Sequence, residues 1–172
     1  MRHLLLTAVL AATPILASAA FAPMAFANDL ADQVLAVHNA ERAEVGVAPL
    51  TWSDSLAQDA QAWANHLADI DQLVHAGSDT NANEGENLAA GSAGGYTDGQ
   101  LAQLWADEKS YFVQGTFPDV SSDGNWASVG HYTQMIWANT TQVGCGHASS
   151  SGNDYLVCRY SPAGNYLGEK VY

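Results

Sequence analysis

Apolar positions recur every three or four residues in three stretches of the chain. Val34, His38 and Val45 share a stripe with Leu35 and Arg42, which predicts a helix over Leu30 to Val45, opened by Asn28 or Asp29 and stopped by Gly46, with Pro49 beyond. Leu56, Ala60, Trp63 and Leu67 follow Ser53 or Asp54 as cap and predict a second amphipathic helix with a tryptophan on its inward face. Leu101, Leu104, Trp105, Tyr111 and Phe112 predict a third over Gln100 to Phe112, capped by Asp98. Glu108 falls on the Leu101/Leu104 stripe of that helix and is the most conspicuous carboxylate in the chain. A short helix is expected from Gly130 to Trp137, within the run GHYTQMIW.

Elsewhere the period changes. Gln142 to Ser149 and Asp154 to Tyr160 alternate as strands, joined by the turn-rich Ser150-Ser151-Gly152-Asn153. A turn centred on Ser151-Gly152 sets Cys145 opposite Cys158, Val143 opposite Tyr160 and His147 opposite Leu156, and facing antiparallel positions have the separation a disulfide needs. Gly144 and Gly146 bare one face of the first strand, so a helix is expected to approach closely there. A third strand is expected over Asn165 to Tyr172. His75 to Gly99 has no sustained period and reads as a long ordered loop of the kind that carries function, and Val113 to Val129 reads as irregular. The predicted fold class is α+β, with helices covering a small antiparallel sheet.

The first residues alter the domain boundaries. Arg2 and His3 precede an apolar run from Leu4 to Leu16, and Ala25-Phe26-Ala27 supplies a small-x-small cleavage site. Residues 1–27 are therefore expected to be a secretory signal peptide, leaving one domain over 28–172 that is exported to an extracellular or periplasmic space as a monomer. Exactness at the sulfurs fits this compartment, since two cysteines facing one another in an exported chain read as a disulfide. A net charge of −13 argues against nucleic acid and anionic membrane as partners. No later segment is long and apolar enough to span a membrane. Asn139-Thr140-Thr141 has the form of a glycosylation sequon.

Four residues stand out by position: His75 and Glu86 in or beside the long loop, Glu108 on an apolar helix face, and His131 in an apolar run. Two imidazoles and two carboxylates are suited to holding a divalent cation, or to moving protons as base and acid. No HExxH, CxxC or GxSxG pattern accompanies them.

Four ordered motifs carry a family resemblance. GHYTQMIWANT, His38-Asn39-Ala40-Glu41-Arg42, Gly85-Glu86-Asn87-Leu88 and the stretch Tyr155 to Tyr166 resemble the signatures of the CAP superfamily of cysteine-rich secretory, antigen 5 and pathogenesis-related 1 proteins, also called SCP domains. The resemblance spans almost all of 28–172. It implies a three-layer αβα sandwich with a three-stranded antiparallel sheet and a central cleft holding His75, Glu86, Glu108 and His131, able to bind Zn2+ or another divalent cation. It gives His38, Asn39, Arg42, Asn87, Tyr132 and Gln134 structural roles around that cleft, with Trp137 in the core. Some members of that family take up a sterol or other lipid through an aromatic loop, for which Tyr111, Phe112, Phe117 and Trp126 are the candidates here, although ordinary core and loop packing is the favoured reading of these four. The alternative is hydrolysis by a metal-bound water or a Glu/His pair. Since the sequence marks no oxyanion stabiliser, a non-enzymatic binding module is favoured.

Overall fold

The computed structural model describes residues 24–77 and 83–172. Most of the expected leader, residues 1–23, and a short part of the long loop lie outside the described residues. Helix α1 runs Met24–Glu44 and so starts before the predicted Leu30. Met24-Ala25-Phe26-Ala27 contains no breaker, and good helix formers let the helix extend backwards past Asn28.

Helix α2, Asp54–Ile70, follows the two-residue strand β1, Thr51–Trp52. Ser53 caps it, its hydroxyl accepting from the Leu56 amide, and Leu56, Ala60, Ala64 and Leu67 form its buried face. Trp63 lies at the margin of that face rather than within it, and its indole N–H donates to the Val74 carbonyl at 3.0 Å.

Strands β2 (Gly85–Ser92), β3 (Gln142–Ser149) and β4 (Asn153–Ser161) form the antiparallel part of the sheet. The strand order is β1-β3-β4-β2, with β1 added in parallel at the edge. The predicted β3–β4 register holds at all three pairs, and a disulfide joins Cys145 to Cys158.

Two of the strand expectations are corrected. Gly85–Ser92 is not loop but a strand paired along its length with β4, from Gly85↔Tyr160 to Ser92↔Asn153. Its side chains are mostly too small to show alternation, because Trp105 and its neighbours fill the space above them; the Trp105 indole donates to the Leu88 carbonyl at 2.9 Å. Asn165 to Tyr172 is not a third strand. Pro162 precedes it and the backbone takes positive φ at Asn165 and Gly168, which breaks any extended run. The tail is held instead by the Phe117 amide donating to the Glu169 carbonyl and the Ala138 amide to the Val171 carbonyl, both at 2.8 Å.

Helix α3 runs Asp98–Asp107 and is capped by Thr97, not Asp98, through a reciprocal capping box with Gln100. It buries Leu101, Ala102, Trp105 and Ala106, whereas Leu104 and Tyr111 are exposed, so the stripe inferred through Leu101, Leu104 and Glu108 is not the buried face. At Glu108 the chain tightens into a 3-10 turn, Glu108–Tyr111. Helix α4 is short, Gly130–Met135.

The layers follow from these faces. Ala60, Ala64 and Leu67 of α2 pack with Leu88, Tyr155 and Val157 on one side of the sheet. The larger core on the other side joins α1, α3 and α4 to Cys145, Leu156, Cys158 and Tyr160. The result is the αβα sandwich. A Cβ at Gly144 or Gly146 would overlap the α2 backbone at Ala57 or Gln61, which is why the strand under that helix carries glycine. No helix among the described residues is long and apolar enough to cross a membrane.

Candidate functional site

The pleat of edge strand β2 sets the site. Adjacent residues on a strand point to opposite faces, so Glu86 reaches toward the α2 layer and Asn87 toward the α1/α3/α4 layer. On the first side, Glu86 Oε1 accepts from His75 Nδ1 at 2.6 Å and from the Ala76 amide at 3.0 Å. Its other oxygen pairs with Nη2 of buried Arg159, its cross-strand neighbour, at 2.9 Å. The Glu86 side chain is 2% exposed while that of His75 is 63% exposed, so a fixed carboxylate holds an accessible ring. Glu84 lies 3.6 Å from the same guanidinium, and desolvation raises its pKa above the usual carboxylate value.

On the second side, Glu108 gathers three donors at the start of α4. Its Oε1 accepts from His131 Nδ1 at 2.6 Å, and its Oε2 accepts from the amides of His131 and Tyr132 at 3.0 and 3.1 Å. A carboxylate at a helix N-terminus satisfies otherwise unpaired amides and matches the helix dipole. Asn87 adds a bond from Nδ2 to the His131 carbonyl at 3.1 Å. The Trp105 ring stacks near the His131 ring, with centroids 6.2 Å apart.

His75, Glu86, Asn87 and His131 line one cleft of about 690 Å3, together with Phe117 and Trp126. Each histidine gives its Nδ1 proton to a glutamate, and among the described residues neither Nε2 has a hydrogen-bond partner. Carboxylates that fix the tautomer in this way orient imidazoles as ligands. The described residues contain no group of three or more His, Cys, Asp or Glu arranged around one metal position. What the arrangement offers is therefore two imidazole nitrogens, with glutamates behind them rather than beside them.

The remaining motif residues spend their polar groups or ring faces on contacts within the fold. His38 donates from Nδ1 to the Val34 carbonyl at 2.8 Å and accepts at Nε2 from the Tyr160 hydroxyl at 2.7 Å, which itself accepts from Asn87 Nδ2 at 3.1 Å. Burial lowers the His38 pKa to about 4, so the ring stays neutral, and it pushes that of Tyr160 well up. Arg42 donates to the carbonyls of Ala48, Met135, Trp137 and Thr140 at 2.6 to 2.9 Å. Asn39 exchanges two bonds with the Leu50 backbone. Gln134 receives the Gly164 amide at 2.8 Å and donates to Thr140 Oγ1 at 3.2 Å, tying α4 to the C-terminal loop. Buried Tyr132 packs edge-on against Phe112, and desolvation pushes its pKa up to about 12. Of the four loop aromatics, Phe117 and Trp126 reach the cleft and contact each other edge-on, whereas Phe112 packs on Tyr132 and Tyr172 and Tyr111 is exposed.

A further polar pair was not foreseen in the sequence. His147 Nδ1 donates to Asp98 Oδ1 at 2.5 Å, and its Nε2 lies 3.6 Å from Asp154 Oδ1. The Asp98 hydrogen bond raises the His147 pKa. The partners are far apart in sequence and fall in no motif; only the capping position of Asp98 gave it prominence.

The sequence model of the cysteine-rich secretory protein family matches residues 35–160. Pathogenesis-related protein 1A of Nicotiana tabacum is 41% identical over 139 residues, covering 80% of this chain and 78% of that protein. Venom allergen 5 of Rhynchium brunneum is 36% identical over 143 residues, covering 79% of this chain and 61% of that protein. Among solved structures, NaASP2 with Zn2+ superposes with a TM-score of 0.72 at 24% identity, covering 84% of this chain and 85% of that one. MpPR-1i does so with a TM-score of 0.55 at 24% identity, covering 85% and 93%. The family match spans most of the chain and both curated relatives are well above 30% identical, so the chain belongs to the CAP family of cysteine-rich secretory proteins.

Proposed function

We propose that this protein is a secreted binding module without enzymatic activity, in which His75 and His131 hold a divalent cation through Nε2 and the cleft rim takes up a sterol or other lipid. Residues 1–27 act as its signal peptide. The observation that carries the metal reading is the pair of glutamates on the Nδ1 side of the two rings, which leaves the two Nε2 atoms for one cleft. The presence of Zn2+ in the NaASP2 structure adds support from a protein of the same fold. Two protein ligands leave the other coordination positions to water, so moderate affinity is expected. The lipid reading rests on Trp126 and Leu167, which line the same cleft and are 48% and 78% exposed.

Zinc titration by calorimetry tests the metal site. The protein should bind one Zn2+, and His75→Ala/His131→Ala should lose at least about a hundredfold in affinity; equal affinity in both proteins rejects the site. Uptake of a fluorescent sterol by the protein and by Trp126→Ala tests the rim, and no uptake by the unaltered protein rejects that part.

A further inference from the structure

A Cβ at Gly85, the first residue of β2, would overlap the Gln134 side chain of α4. Its neighbours Glu84 and Glu86 therefore both turn to the α2 side of the sheet. Arg159 lies opposite Glu86 on β4 and meets both carboxylates, Glu86 with Nη2 at 2.9 Å and Glu84 with Nη1 at 3.6 Å. On its other flank the paired residue is Gly144, which has no side chain and lies under the α2 backbone at Ser53, Leu56 and Ala57. That side is closed, so the guanidinium is aimed at β2.

Arg159 is costly to bury. Its side chain is 1% exposed, yet among the described residues its Nε and Nη1 have no hydrogen-bond acceptor, and the Oε2 atoms of Glu84 and Glu86 have no aligned donor. Arg42, equally buried, places its donors on four carbonyls. A buried ion pair contributes little net stability, because desolvation offsets the attraction, and buried groups left short of partners point to a role other than holding the fold together.

That role lies in what Glu86 holds. Its Oε1 accepts from His75 Nδ1 at 2.6 Å and from the Ala76 amide at 3.0 Å. Glu108, which does the same for His131, is itself held by the backbone amides of His131 and Tyr132.

We infer that Arg159 is a positioning residue for His75: it holds the Glu86 carboxylate from behind, so that Oε1 faces Nδ1 of the ring and Nε2 is left to the cleft. Its consequence for metal rests on the reading of His75 and His131 as ligands. The two halves of the site are then unlike. His131 is aligned by the start of a helix, and His75 by a buried charge that can be removed without touching either ring.

The tautomer of each ring, read by ring-nitrogen NMR of the metal-free protein above the pH at which the rings lose their second proton, tests this, followed by zinc titration. In the unaltered protein both rings should carry their proton on Nδ1. Arg159→Gln should lose that form at His75 and keep it at His131, and its zinc affinity should fall roughly tenfold or more. Glu84→Gln removes the other carboxylate beside the guanidinium and should leave both rings as they are. Should Arg159→Gln not fold, Arg159→Gln/Glu84→Gln, which removes one charge of each sign, is read in its place. The Nδ1 form kept at His75 without Arg159, lost at His75 in Glu84→Gln, or lost equally at both histidines would overturn the inference. Failure of both Arg159 variants to fold would assign Arg159 to stability and overturn it too. If the unaltered protein binds no zinc, the metal reading falls, while the tautomers still decide the part played by Arg159.

Discussion

Two regions of this protein are built from the same kinds of side chain and differ in what encloses them. Around α1, His38 spends both ring nitrogens, on Val34 and Tyr160, and Arg42 spends its donors on four carbonyls, all in the interior. Around the cleft, His75 and His131 spend one nitrogen each, and their rings face solvent. A histidine with every group paired is a fastener; one held by a single carboxylate is oriented and keeps its other nitrogen unspent. Burial and the number of partners, not residue type, divide the structural part of the motif set from the part available for binding.

The largest effect should come from the sealed region. Arg42→Ala leaves four carbonyls without their shared donor and should cost about 4 kcal/mol in urea unfolding or prevent folding. A loss below about 1 kcal/mol would erase the distinction drawn between the two regions.

The next effect is a dependence on pH. Because the folded protein holds His38 at about 4 while the unfolded chain titrates near the ordinary value of 6.5, the unfolded state takes up the extra proton. Stability should therefore be full above pH 6.5 and fall as pH drops toward 4, by about 2 kcal/mol between pH 7 and 5. His38→Gln, compared at both pH values, should lack that slope. An unchanged slope would assign it to other groups.

In the open region, Glu108→Gln keeps shape but weakens the anchor on His131. Zinc affinity should fall roughly tenfold or more with little loss of stability. A large stability loss with intact zinc binding would make Glu108 a fastener too. Glu86→Gln is a poorer probe, because it also leaves buried Arg159 without its nearest carboxylate.

The smallest effect separates His147 from both regions. Its pKa is raised, so its contribution is present below pH 6.5 and fades as pH rises through the folded value. Asp98→Asn should lower the His147 titration midpoint by NMR and cost about 0.5 kcal/mol at pH 5.5. An unmoved midpoint would show that Asp98 is not what holds that proton.

The sequence exposed the parts of this fold that obey a period. The β3–β4 hairpin and its disulfide followed from alternation and a turn, and α2 from a capped amphipathic repeat. Strand β2 escaped because Gly85, Ala89, Ala90 and Gly91 give no alternation to read; its identity depends on β4 beside it and Trp105 above it. Glu108 drew attention through a stripe that the folded helix does not bury, and it reaches His131 because α3 ends there and the chain turns. The His147–Asp98 pair joins a strand to a helix start across 49 positions, which no local pattern encodes.

The carbonyls held by Arg42 also constrain the order in which the chain can become native. Three of them, at Met135, Trp137 and Thr140, lie more than 90 positions downstream of the guanidinium, and His38 waits for Tyr160 across 122 positions. During synthesis, α1 emerges early and keeps these donors in water until almost the whole domain has left the ribosome. Native closure is consequently expected to come late, because contacts of such long range carry the largest loop-closure cost. A nascent chain stopped before Tyr160 would hold most of the helices of the sandwich without the strand that locks the first of them in place.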